Sequence, residues 1–182
     1  MNRSSFKTAS LVSILAAAPA LAFALAPALA PANDPPSVEH QPAQCSTVAK
    51  PIELCASVLD DGDIAKVRAY FRRPGDKEYL VTEMAFEGAR FCTTLPGVKV
   101  GKLRSLEYYI QAVDTEYESK RTSTYQLQIQ AENECEFPAV QKDAKKASTI
   151  KVQATSAKQG SKLPDFLEPK GVTFVPAAGA KN

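Results

Sequence analysis

The side chains of this chain that could do chemistry are four cysteines, a single histidine, two short carboxylate runs and a set of tyrosines. Cys45, Cys55, Cys92 and Cys135 include no Cys-x-x-Cys pair, and His40 is the only histidine. A zinc site would need all four scattered thiolates to converge, whereas an even cysteine count in an exported chain reads as two disulfides. Residue order alone allows three pairings and leaves them open. Asp60-Asp61-Gly62-Asp63 offers oxygens to a hard cation, but an EF-hand loop needs ligands over twelve residues and nothing after Asp63 supplies them. The run reads as a solvated turn held by side-chain-to-backbone bonds. Glu116 and Glu118, beside Asp114, read as a solvated hairpin loop. No Gly-x-Ser-x-Gly elbow, phosphate-cradling glycine loop or His-Glu-x-x-His motif occurs. The residues thus point away from an enzyme, a metal and a cofactor. Tyr70, Tyr79, Tyr109 and Tyr117 are a candidate ligand surface, an aromatic strip for sugars, although tyrosines on strands also reflect β-propensity and cross-strand pairing.

These residues sit on short strands that follow from period-2 alternation. Residues 52–58 point Ile52, Leu54, Ala56 and Val58 one way and Cys55 the other. Residues 65–73 follow the Asp-Gly turn, with Val67, Ala69 and Phe71 on one face. Arg73-Pro74-Gly75-Asp76 is a second turn, where Pro fixes φ and Gly permits the reversal. Residues 78–86 are expected to bury Leu80, Met84 and Phe86. Residues 90–95 turn Phe91, Thr93 and Leu95 inward. Residues 106–113 bury Leu106, Tyr108, Ile110 and Ala112, and 123–130 bury Tyr125, Leu127 and Ile129. With an opening strand over 37–44, seven short strands at regular spacing predict an all-β antiparallel sandwich.

The two ends read differently. Arg3 and Lys7 precede a Leu- and Ala-rich run broken by Pro19 and Pro27, and no acidic residue occurs before Asp34. This is the pattern of a cleaved signal peptide over 1–32, with the cut after Ala30-Pro31-Ala32, rather than of a membrane-spanning helix. No cysteine lies at that boundary to carry a lipid. The expected product is periplasmic or secreted, without a transmembrane anchor. From residue 33 to 135 there are 12 basic and 16 acidic residues, a net of −4, which gives no footprint for nucleic acid. Residues 137–182 are rich in Lys, Ala, Ser and Pro. Their few apolar side chains, Phe166, Leu167, Val172, Phe174 and Val175, cannot build a core, so the segment reads as a flexible, disordered tail. Its alternative is a docking peptide, with 163–167 or 172–175 adding a strand to a partner's sheet.

Four stretches resemble exported bacterial immunoglobulin-like or fibronectin type III-like β-sandwich domains. Val38-Glu39-His40-Gln41-Pro42 is similar to their first strand, and Asp60-Asp61-Gly62-Asp63-Ile64-Ala65-Lys66-Val67 to the loop between the second and third. Tyr70-Phe71-Arg72-Arg73-Pro74-Gly75 resembles an aromatic-Arg-x-x-Gly hairpin, and Leu106-Glu107-Tyr108-Tyr109-Ile110-Gln111-Ala112-Val113-Asp114 the penultimate strand. The resemblance spans roughly half the chain and departs from the fold's usual pattern in having no Trp. It implies a seven-stranded sandwich over 33–136. His40 would be a half-exposed residue of the opening strand. Tyr108 would be the tyrosine corner, its ring buried and its hydroxyl tied to backbone. It also implies the pairing Cys55–Cys92, on neighbouring strands with both sulfurs outward, and Cys45–Cys135, at the ends of the first and last strands. Such domains act as spacers, adaptors or binding modules, so the expected partner is an envelope protein or surface polymer. A carbohydrate-recognition accessory domain and a small hydrolase are the alternatives, and the oligomeric state is not readable.

Overall fold

A computed structural model describes residues 34–131, 134–135 and 149–180 of the protein. The signal peptide read over 1–32 lies outside the described residues, as do positions 137–148 and 181–182 of the expected tail.

The described residues are almost entirely β. In chain order the strands are β1 (Ser37–Glu39), β2 (Cys45–Thr47), β3 (Ile52–Leu59), β4 (Ile64–Arg72), β5 (Leu80–Glu83), β6 (Ala85–Glu87), β7 (Arg90–Leu95), β8 (Ser105–Asp114), β9 (Ser119–Arg121), β10 (Tyr125–Gln130), β11 (Ile150–Ala154) and β12 (Val172–Val175). A 3-10 turn at Ala157–Gln159 follows β11. They form two sheets packed as a sandwich. The smaller runs β1-β3-β7-β6, and the larger runs β12-β11-β5-β4-β8-β10-β2 with β9 folded back on β8. Neighbours are antiparallel except β10–β2 and β11–β12. No helix long and apolar enough to cross a membrane occurs among the described residues.

The alternation in the sequence becomes the core directly. Ile52, Leu54 and Ala56 from β3 and Leu95 from β7 face Val67, Ala69 and Phe71 from β4, Leu106, Tyr108, Ile110 and Ala112 from β8, and Leu127 from β10. All are almost fully buried. Every strand expected from the alternation is present, but the opening strand, expected over 37–44, is only β1 on the smaller sheet, and β2 lies beyond it on the larger.

The strand expected over 78–86 is two strands, and its inward set needs correction. The Met84 N–H still donates to the Val67 carbonyl of β4 at 2.9 Å, and the next residues pair with β7 in the other sheet. The chain changes sheets there. Phe86 is carried to the edge strand β6, where it is 62% exposed and touches the Phe91 ring.

The larger correction concerns the expected tail, because residues 149–180 belong to the sandwich. β11 pairs antiparallel with β5, Gln153 opposite Val81 and Ala154 opposite Leu80, so it covers what would be a sheet edge. The buried Thr82 hydroxyl fastens the join by donating to the Lys151 carbonyl at 2.8 Å. Ile150 and Val152 enter the core. The chain then crosses one end of the sandwich, where Leu167 bridges Val98, the Lys99 N–H donates to the Phe166 carbonyl and the Glu168 N–H to the Gly97 carbonyl. β12 returns parallel to β11. The apolar residues of this segment are indeed too few for a core of their own. They complete one that already exists.

Gly97 shows how closely that end is packed. A Cβ there would lie 2.6 Å from the Ala49 carbonyl carbon and 2.9 Å from the Lys50 nitrogen, so only glycine fits.

Candidate functional site

The outward residues of the larger sheet carry the one aromatic cluster among the described residues that lies outside the core side. β4 and β8 run antiparallel with Tyr70 opposite Tyr109, and because Ala69 and Ile110 point inward both tyrosines point out. Their rings stack at 4.8 Å with an interplanar angle of 8°. Tyr79, just before β5, meets Tyr109 edge-on at 4.9 Å. The Arg72 guanidinium lies 4.2 Å over the Tyr79 ring, and Arg121 lies 5.2 Å over Tyr109. Arg72 is held in turn by Glu107, its Nε donating to Oε2 at 2.8 Å. Burial pushes the Tyr109 hydroxyl pKa up, reinforced by Tyr70 and opposed by Arg121.

The segment 149–180 also positions this cluster. Gln159 donates from Nε2 to the Tyr79 carbonyl at 3.0 Å, and the Thr155 hydroxyl donates to the same oxygen. Gln159 is itself fixed, its Oε1 accepting the Thr155 and Ser156 N–H groups at 2.7 and 3.1 Å.

Three of the four sequence-selected tyrosines, Tyr70, Tyr79 and Tyr109, therefore converge, and Tyr117 does not. Tyr117 sits in the turn between β8 and β9 at φ 70°, 89% exposed. The cluster also differs from a stacking platform. Tyr70 and Tyr109 each give a face to the other, and a guanidinium lies over Tyr109 and over Tyr79, so the rings are partly engaged and sit among cations.

Charge on this face is uneven. On the strands, Lys66, Arg68, Arg72, Arg121 and Lys151 point outward against Glu83 and Glu107, a net of +3. Lys66 lies 3.9 Å from Glu83, and Arg72 is bonded to Glu107.

The remaining chemistry-bearing residues hold the fold. His40 is half-buried just after β1, and both ring nitrogens are engaged. Nδ1 lies 2.7 Å from the Cys55 carbonyl and Nε2 lies 2.9 Å from the Tyr108 hydroxyl. A carbonyl only accepts, so Nδ1 carries the proton and Nε2 accepts from Tyr108. Burial lowers the His40 pKa, opposed by the Cys55 carbonyl. Tyr108 is fully buried and its hydroxyl also takes a backbone bond from Ala43, burial driving its pKa far upward. Its backbone tie thus runs to the segment between β1 and β2, far from a local corner. No periodic signal joins His40 to Tyr108.

In the acidic turns, Asp114 is fully buried rather than solvated. Its Oδ1 accepts the Glu118 N–H at 2.8 Å and closes the β8–β9 turn. Asp60 Oδ2 accepts the Gly62 N–H at 3.3 Å. Among the described residues no group of three His, Cys, Asp or Glu is placed to hold a metal.

Both disulfides are present. Cys55 and Cys92 stand directly opposite on β3 and β7 with Cα atoms 4.2 Å apart. Cys45, at the start of β2 beside β10, joins Cys135, five residues beyond β10, with a Cα separation of 5.8 Å.

No protein-family model matches the chain, and no curated protein matches it either. Among solved structures it is similar to an engineered protein studied as a Northeast Structural Genomics Consortium target, at 16% identity and TM-score 0.40. That match covers 54% of this chain and 21% of the other. It is also similar to a point mutant of the SrpA adhesin from Streptococcus sanguinis, at 16% identity and TM-score 0.38, covering 58% of this chain and 62% of the adhesin chain. The chain thus spans about a fifth of one relative and under two thirds of the other. Neither likeness assigns a family or an activity.

Proposed function

We propose that the protein is an exported immunoglobulin- or fibronectin-III-like sandwich that works by binding a partner at the bacterial envelope, an envelope protein or a surface polymer. The contact surface is the outer face of the larger sheet. One observation carries the reading: Tyr70, Tyr79 and Tyr109 are locked together with Arg72 and Arg121 on a face of net positive charge. Tyrosine and arginine are the residues that dominate binding energy at interfaces, and side chains already ordered lose little entropy on association. Cross-strand aromatic pairs also stabilise sheets on their own, by roughly 0.2–1 kcal/mol each. The two arginines are what distinguish the cases, since a purely structural pair needs neither.

Export is supported by the apolar leader with its small-residue cleavage pattern and by two disulfides, which persist in oxidising compartments. A non-enzymatic role is supported by the commitments of His40 and Asp114, whose polar atoms hold the fold. The test is retention of envelope components on immobilised protein, comparing the parent with a Tyr109→Ala/Arg121→Ala variant. Both positions lie on the outward side, so the variant should keep the fold, as circular dichroism would show, and lose retention. An unchanged retention profile would refute this face as the contact surface.

A further inference from the structure

We infer that the outer face of the larger sheet takes a linear acidic polysaccharide bearing one carboxylate per disaccharide, held by Lys151, Arg68 and Arg121. This rests on that face being the contact surface proposed above.

The first argument is charge. The stretch 33–135 is net acidic, yet its residues on this face sum to +2, and Lys151 brings the face to +3. Its two carboxylates are already occupied, Glu83 by Lys66 and Glu107 by Arg72. Among the described residues Arg68 and Lys151 have no ion pair. Arg121 rests on Tyr109, which leaves its guanidinium without a carboxylate. Three cations on this surface thus have no ion pair of their own, and Arg68 and Lys151 flank Glu83, whose partner is Lys66.

Spacing comes next. Glu83, Arg68, Gln111 and Arg121 stand opposite one another across β5, β4, β8 and β9. The β5–β11 register, Gln153 opposite Val81, continued by two residues, brings Lys151 beside Glu83. Neighbouring strands lie about 4.8 Å apart, so Lys151, Arg68 and Arg121 recur about every 10 Å along a line crossing the strands. An extended peptide places same-side side chains about 6.7 Å apart, so alternating acidic residues would fall out of step. The repeat of a linear disaccharide polymer keeps step.

The third argument is the chemistry between the cations. Gln111 fills the gap between Arg68 and Arg121 with an amide that accepts through Oε1 and donates through Nε2, one hydrogen of which goes to Ser119 Oγ at 3.4 Å, and Glu83, paired with Lys66, fills the gap between Lys151 and Arg68. The row itself, Lys151, Glu83, Arg68, Gln111 and Arg121, carries no aromatic ring, so hydrogen bonds and ion pairs are the contacts it offers.

The experiment is calorimetric titration of the exported protein with hyaluronan oligosaccharides at low salt, beside dextran and poly-glutamate. Hyaluronan should bind with an affinity that falls as salt rises, and dextran should not bind. Arg68→Gln/Arg121→Gln should weaken hyaluronan by roughly tenfold. Lys151→Gln alone should weaken it in the same direction, and Lys102→Gln, elsewhere on the surface, should leave it unchanged. Melting curves of each variant separate lost binding from lost fold, and the single exposed Lys151 keeps the test decisive if the double variant misfolds. Poly-glutamate binding as tightly as hyaluronan would overturn the polysaccharide class, and hyaluronan binding untouched by the three substitutions would overturn the site. No hyaluronan binding, together with envelope retention that still depends on Tyr109 and Arg121, would overturn this inference and leave the contact face standing. Loss of both would overturn both.

Discussion

Truncating Leu167 to alanine separates a segment that builds the core from one that rests on it. Leu167 is fully buried and Phe166 nearly so, both are part of the hydrophobic core, and Leu167 bridges Val98. The backbone around them is pinned by Val98, Lys99 and Gly97, so the cavity left by a missing side chain cannot close easily. Leu→Ala at such sites costs about 2–5 kcal/mol and Phe→Ala about 3–5 kcal/mol. At about 2–4 °C per kcal/mol for a domain of this size, Leu167→Ala should lower the melting midpoint by roughly 4–20 °C. Removing the whole segment withdraws Ile150, Val152, Phe166 and Leu167 together, at about 1.5–3 kcal/mol for each fully buried side chain. That upper bound of roughly 6–12 kcal/mol rivals the entire stability of an ordinary domain, about 5–15 kcal/mol. The truncated chain should not fold stably. The assay is thermal unfolding of oxidised protein followed by far-ultraviolet circular dichroism, with Lys162→Ala as the surface control. A Leu167→Ala midpoint within a degree of the control would refute the claim that 149–180 is core.

Three further outcomes follow from the same structure. The Cys45–Cys135 and Cys55–Cys92 bridges close separations of 90 and 37 residues, for which the chain-entropy model gives roughly 4.6 and 3.8 kcal/mol at most; paired Cys→Ser variants should each lower the urea midpoint, and a variant that does not would show its bridge to be dispensable. His40 has a folded pKa below 6.5, so the unfolded chain takes up the proton first as pH falls. Stability from this group is complete above about pH 6.5 and declines below it, and denaturant midpoints between pH 7 and 5.5 should show a decline that His40→Gln abolishes. Gly97→Ala forces a Cβ into the backbone of Ala49 and Lys50 and should cost about 1–3 kcal/mol by overpacking, whereas Gly75→Ala, where a Cβ meets nothing, carries only the cost of its positive φ.

What was legible in the sequence was whatever repeats every second residue. The phase that turned Leu54 and Ala56 inward put Cys55 outward, the same phase on β7 put Cys92 outward, and the resemblance to immunoglobulin-like sandwiches implied that the two strands are neighbours. The stacked pair Tyr70 and Tyr109 follows from that phase as well, once the two strands are neighbours. The sheet change at Met84 was hidden because alternation continues through it while the pairing partner changes. The His40 bond to Tyr108 spans 68 residues and depends on which strands pack face to face. Tyr117 did carry a signal, since it lies between two glutamates in a turn where no strand could aim it at the other tyrosines.

The segment after β10 was the hardest to read, because its meaning lies in what it covers. Taken alone, Ile150, Val152, Phe166 and Leu167 are isolated apolar residues in a Lys-rich stretch. They become core only because β5 would otherwise present an open edge and the end around Val98 an open layer. The same segment fixes Tyr79 through Gln159 and Thr155, and it brings Lys151 into line with Arg68 and Arg121. Burial of four side chains on one face of the sheet thus sets the position of an aromatic ring and a cation on the other. Fold and contact surface are coupled through these residues, so any change that frees β11 from β5 dismantles the cation row at the moment it opens the core.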